Sequence, residues 1–169
     1  MTSSTSPHAT LWDLIKDIKY AMLTTVHANG HLHSRPVTTM NQQIDHDDTL
    51  WFFVARNSSP ALDITHQAQV NLAYAHPGRD SYVSVSGSAV LVDNPAKRQE
   101  LWSKPVQAWF PGGVDDPNLA LLAVRISHAH FWDVKENKLT QLYEMTKAAI
   151  TGKRPEIGHE GEVRVAANQ

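Results

Sequence analysis

Apolar residues recur at helical spacing at Leu11, Leu14, Ile15, Ile18 and Met22, while Asp13, Lys16, Asp17 and Lys19 fill the other face. With Thr10 as an N-cap, this pattern predicts an N-terminal helix. The period then changes. Two β-prone segments, 21–27 and 32–40, flank Asn29-Gly30, a dipeptide that favours a tight hairpin. Residues 50–54 read as a short aromatic strand after the polar stretch 41–49. Ser59-Pro60 has the form of an N-cap followed by proline at the first helical position, where the missing N–H costs nothing, and predicts a helix over 60–67. A strand over 70–75 closes at Pro77-Gly78. In the long strand 82–92, Ser84, Ser86 and Ser88 share one face, and Val83, Val85, Ala89 and Leu91 the other. Asn94-Pro95 opens a short helix to about Trp102, strand character resumes over 119–134, and 141–151 reads as a last helix stopped by Gly152.

Six strand-like segments with a few short helices and no βαβ alternation predict an α+β or mainly β antiparallel barrel, not a doubly wound sheet. At 169 residues the chain has the length of one domain. We expect a tail over 1–9, a domain over 10–155 and a second tail over 156–169. The Pro/Gly-rich loop 110–117 falls inside that domain, because a boundary there leaves too little chain for a second core.

Composition narrows the chemistry. A net charge of -2 gives no broad positive field, so nucleic acid is not an expected partner. The absence of cysteine excludes disulfides, thiol catalysis and Cys-ligated zinc or iron–sulfur centres, so redox chemistry requires a bound cofactor. The N-terminal segment lacks the basic start and apolar run of a secretory signal, and the longest apolar run, 119–124, is far short of the ~20 residues of a membrane span. We therefore expect a soluble cytoplasmic protein without a membrane partner.

Four groups of residues are candidates for a site. Arg56, Asn57, Ser58 and Ser59 surround a helix start with donors, an arrangement that suits a phosphate, although spacing alone more often means an ordinary cap beside a surface arginine. His33-Ser34-Arg35-Pro36 begins a strand whose proline confines it to an edge or bulge, where backbone groups stay free for a ligand. Trp102, Trp109 and Trp132 are large enough to wall in a planar ligand, although core or interface packing explains such residues as well. His31-x-His33 and His128-x-His130 each place two imidazoles on one strand face, but no spacing supplies a third ligand, so no metal is assigned. There is no G-x-G-x-x-G, P-loop, G-x-S-x-G or H-E-x-x-H motif.

Several segments in order carry a resemblance: His33-Ser34-Arg35-Pro36-Val37; Leu50-Trp51-Phe52-Phe53 leading to Ser58; Tyr82-Val83-Ser84-Val85-Ser86-Gly87; Trp109-Phe110-Pro111-Gly112-Gly113 with Asp116-Pro117; and Phe131-Trp132-Asp133. Together they resemble the general stress protein 26 family, the bacterial branch of the pyridoxamine-phosphate-oxidase-like flavin-binding split barrels. The resemblance spans roughly residues 10 to 155. It implies a six-stranded antiparallel split β-barrel of Greek-key type with short flanking helices, assembled as a homodimer with FMN at the subunit interface. Under it, Arg35, Pro36 and Val37 border the flavin ring, with backbone groups of the strand that begins at His33 and Ser34 bonding its polar edge. Phe53 and Val54 line the ring and ribityl chain, Ser58 and Ser59 meet the phosphate, Tyr82 contacts flavin, and Trp109 and Trp132 close the pocket.

Two departures stand out. Ser59-Pro60 replaces the Arg-Lys pair that follows the serine in the oxidase, and Met40 replaces a lysine, which leaves Arg56 as the local cation. Phosphate clamping is then expected to come from backbone N–H groups and hydroxyls, in a pocket also open to FAD. The expected function is a flavin-binding general stress protein. An NAD(P)H- or reduced-flavin-dependent oxidoreductase and a haem-binding split barrel are the alternatives.

Overall fold

The computed structural model describes residues 7–44, 47–133, 147, 152 and 159–164. The chain runs through α1 (Pro7–Ile15), β1 (Tyr20–Val26), β2 (Leu32–Thr38), β3 (Thr49–Ala55), α2 (Ser59–His66), β4 (Gln69–His76), β5 (Ser81–Val92), α3 (Pro95–Leu101), α4 (Lys104–Gln107), β6 (Leu119–Asp133) and β7 (His159–Arg164). Short 3-10 turns cover Pro77–Arg79 and Gly113–Asp115.

Six strands form one antiparallel sheet in the order β2-β1-β4-β5-β6-β3, curled into the expected split barrel. The ends of the row return toward each other where the Met40 N–H donates to the Trp51 carbonyl at 2.9 Å and the Trp51 N–H donates to Asn41 Oδ1 at 2.8 Å. Alternation sets the interior. Ala21, Leu23, Leu72, Tyr74, Val83, Val85 and Phe52 point inward and form the main core with Leu11 and Ile15 of α1. Each fully buried leucine, isoleucine, valine or phenylalanine among them stabilises the fold by roughly 1.5–3 kcal/mol.

The apolar run 119–124 does not alternate, because this half of β6 is covered on both faces. Leu122 and Val124 enter the barrel core, whereas Leu121 and Ala123 pack with Trp51 and Leu101 of α3 in a second core on the outside. Met40 packs against that second core.

β5 pairs with β6 along its whole length except at one bulge, where Ser86 faces His128 and Gly87 faces Ile126, so Ser127 is the extra residue. A Cβ at Gly87 would fall on the Arg125 carbonyl oxygen, so the strands approach this closely only with glycine there. The other edge of β6 is shared between β3, on residues 119–125, and β7, on 128–133.

Several expectations shift. The first helix starts at Pro7, before Thr10, and ends at Ile15, so Met22 lies on β1 and its place in the helical pattern is accidental. β2 ends at Thr38, two residues early. The stretch read as a C-terminal tail contains β7, whose partner strand no local pattern in His159–Arg164 identifies. α4 is an addition. The helix expected over 141–151 falls, apart from Lys147, outside the described residues. Among the described residues no helix is long and apolar enough to cross a membrane.

Candidate functional site

The start of α2 is one residue earlier than the Ser59-Pro60 pattern suggests. Ser58 is the N-cap, Ser59 the first helical residue and Pro60 the second. The Ser58 side chain does not cap the helix; its hydroxyl donates to the Ala55 carbonyl. That leaves the Ser59 and Ala61 N–H groups in a first turn that supplies no helical acceptor, at the positive end of the helix dipole. These donors fit a phosphate. Arg56 is held beside them by its N–H, which donates to the Asn118 carbonyl at 2.7 Å, and by its guanidinium, which reaches the Leu119 carbonyl at 3.3 Å.

The loop that meets Arg56 is built on one carboxylate. Asp116 accepts from the Gly112 N–H at 3.0 Å with one oxygen and from the Asn118 N–H at 2.9 Å with the other. Gly113 adopts a φ of 76°, which its missing side chain permits. This bracing is the physical content of the Trp109-Phe110-Pro111-Gly112-Gly113 and Asp116-Pro117 pattern: Phe110 is buried and Trp109, 84% exposed, projects from the loop.

β2 divides its side chains between two environments. Ser34, Pro36 and Thr38 face outward, whereas Val37 enters the core and Arg35 turns to the barrel end covered by α2. Pro36, lacking an N–H, stands opposite Met22 on an edge strand, as its chemistry requires. On the outer face Tyr82 pairs across the ladder with Trp132, and both are half-exposed with Tyr20 and Met22 beside small Ala73 and Ala75. Ser34 bonds Thr24 at 2.7 Å on the same face. His128, His130 and Trp132 continue in a row there, their rings at centroid distances of 5.7 and 6.4 Å.

Tertiary structure therefore brings Ser34, Pro36, Tyr82 and Trp132 to one exposed sheet face, and Arg56, Ser58 and Ser59 to the α2 start. Phe53 and Val54 separate. Successive strand residues point oppositely, so Val54 packs in the barrel core while Phe53 meets Trp102 edge-on at 6.0 Å on the outer side. His33 stacks on His27 at 4.9 Å, whereas His31 lies in the turn before β2.

A polar cluster that sequence reasoning missed lies at the barrel end. Asp63 of α2, only 2% exposed, accepts from the Thr25 hydroxyl at 2.7 Å and from His27 Nδ1 at 2.8 Å, and the Arg35 guanidinium lies 3.6 Å away. Arg35 also donates to Thr25 Oγ1 at 2.9 Å. Burial alone would raise the Asp63 pKa. The Thr25 and His27 donors and the Arg35 charge together hold it below the usual carboxylate value. The available signal was helical spacing, which puts Asp63 beside Pro60 and Ile64 on the buried face of α2, an unusual place for a charge.

A family model described as pyridoxamine 5'-phosphate oxidase like matches residues 6–156. General stress protein 26 of Bacillus subtilis is 27% identical over 115 residues, which cover 66% of this chain and 78% of that protein. Protein bli-3 of Neurospora crassa is 24% identical over 144 residues, covering 80% of this chain and 68% of its own. The crystal structure of the general stress FMN/FAD binding protein from Xanthomonas citri superposes with a TM-score of 0.65 at 32% identity, covering 78% of this chain and 90% of that one.

Proposed function

The chain belongs to the pyridoxamine 5'-phosphate oxidase-like family, and from that premise we propose that it binds a flavin, FMN first and FAD as the alternative. The observation that carries the reading is the uncapped first turn of α2, where the Ser59 and Ala61 N–H groups offer main-chain donors to a phosphate. The Xanthomonas citri relative, whose name states FMN/FAD binding, supports the same class of ligand. When bound, the flavin supplies electron transfer, and the protein supplies binding, orientation and exclusion of water.

In this reading the phosphate rests on the α2 first turn with the Ser58 and Ser59 hydroxyls and Arg56 nearby. The ring lies against β2, and the exposed aromatics Tyr82, Trp132 and Trp109 enclose it, partly across a homodimer interface. Arg35, committed to Thr25 and Asp63, stiffens β2 from inside, and contact with the ring falls to Pro36 and the strand backbone. With two cations of the oxidase loop absent, the phosphate is held mainly by neutral donors, so affinity depends only weakly on salt.

The test is the visible spectrum of the purified protein, followed by quenching of FMN and FAD fluorescence on titration. We expect saturable quenching with a bound-flavin spectrum, weakened at least tenfold by Ser59→Glu, which sets a negative charge against the phosphate. No flavin absorbance and no quenching by either flavin would overturn the reading.

A further inference from the structure

We propose that His27, His33 and Asp63 form a binding site for a transition-metal dication of the zinc type, at the barrel end covered by α2. The site stands independently of flavin binding. Its parts come from three places. His27 follows β1, His33 lies on β2 opposite Thr25, and Asp63 reaches in from α2. The hairpin stacks the two imidazoles at 4.9 Å with their planes 20° apart. One ring nitrogen from each and one Asp63 oxygen all lie within 4.8 Å of one another.

The carboxylate is prepared as an anionic ligand. Its Oδ2 is fixed by the Thr25 hydroxyl at 2.7 Å, which leaves Oδ1 toward His27 Nδ1 at 2.8 Å. A metal-bound carboxylate is ordinarily oriented by hydrogen bonds of this kind. Two imidazoles and one carboxylate are a donor set for zinc and its neighbours in the transition series, whereas magnesium and calcium require more oxygen ligands.

Ligand atoms at tetrahedral angles and bonds of about 2.0 Å lie roughly 3.3 Å apart. With the metal bound, His27 carries its proton on Nε2 and offers the Nδ1 lone pair, so the His27–Asp63 hydrogen bond gives way to two metal bonds and the contact opens slightly, while His33 closes the remaining distance. His33 is exposed on an edge strand, free to make that adjustment and to leave a fourth position for water. Among the described residues the opposing charge is Arg35, 3.6 Å from Oδ2, which makes the site weaker than a closed four-ligand zinc centre.

Calorimetric titration of the intact protein with zinc chloride tests the proposal, with and without saturating FMN. One zinc per chain is expected. His33→Ala, a change at an exposed side chain, should weaken binding at least tenfold, and so should Asp63→Asn in protein confirmed as folded by its circular dichroism. The paired His128→Ala, His130→Ala variant should bind as the parent does. Absence of zinc binding, binding unaffected by His33→Ala, or binding abolished by the His128/His130 variant would each overturn the assignment.

Discussion

Among single residues, Asp63 does the most to join the elements at the barrel end. A buried carboxylate is costly without partners, and this one has a hydroxyl, an imidazole and a guanidinium drawn from β1, the turn after it and β2. Because its folded pKa lies below the ordinary 3.8, the ionised form is favoured by folding. The resulting stability is complete above the unfolded value and is lost as pH falls through the lower folded one. Asp63→Asn should therefore destabilise the protein by about 2 kcal/mol at neutral pH, through weakened bonds to Thr25 and an uncompensated Arg35. Urea unfolding across a pH series checks this: the gap between parent and variant should narrow as pH drops below 3.8. Helical spacing could mark Asp63 as misplaced on an apolar face. It could not name Thr25, His27 and Arg35 as partners, since these lie 38, 36 and 28 positions away, and only folding brings them near.

For the elements, legibility followed the range of the forces that make them. Asn94-Pro95 opens α3 as its chemistry dictates, with Asn94 Oδ1 accepting from the Lys97 N–H at 3.0 Å. The serine alternation of β5 was equally plain, because a strand buried on one face writes its period into the chain. Ser58 and Ser59 were harder to rank as caps, since either can occupy the position and proline is tolerated at the first or the second helical residue. The bulge was not legible. Gly87 reads as one more small residue in a serine-rich strand, and its requirement comes from Arg125 on the neighbouring strand. Gly87→Ala should cost about 1–3 kcal/mol because a methyl group cannot enter that contact without moving backbone. Thermal unfolding measures it, and a melting temperature equal to that of the parent would refute the close approach as a constraint.

At the scale of the whole molecule, the barrel leaves an outer face on which Tyr20, Met22, Tyr82 and Trp132 are all at least 40% exposed. A contiguous apolar surface of this kind on a small protein marks an interaction site, and a second copy of the chain is the partner implied by the proposed flavin arrangement. Trp132→Glu should then shift the protein from dimer to monomer in light scattering and weaken flavin binding together, while leaving the core intact. A monomeric parent would remove the interface from the proposal. The sequence by itself determined the six barrel strands, the starts of α2 and α3 to within a residue, the absence of thiol chemistry and the family, because each depends on local pattern or on motifs kept in order along the chain. Tertiary structure alone decided that Phe53 and Val54 face apart, that Arg35 turns inward to a buried carboxylate, and that His33 finds His27 in place of His31. Those outcomes depend on sheet curvature and on which distant strand arrives beside each residue, and neither is encoded in the spacing of neighbours along the chain.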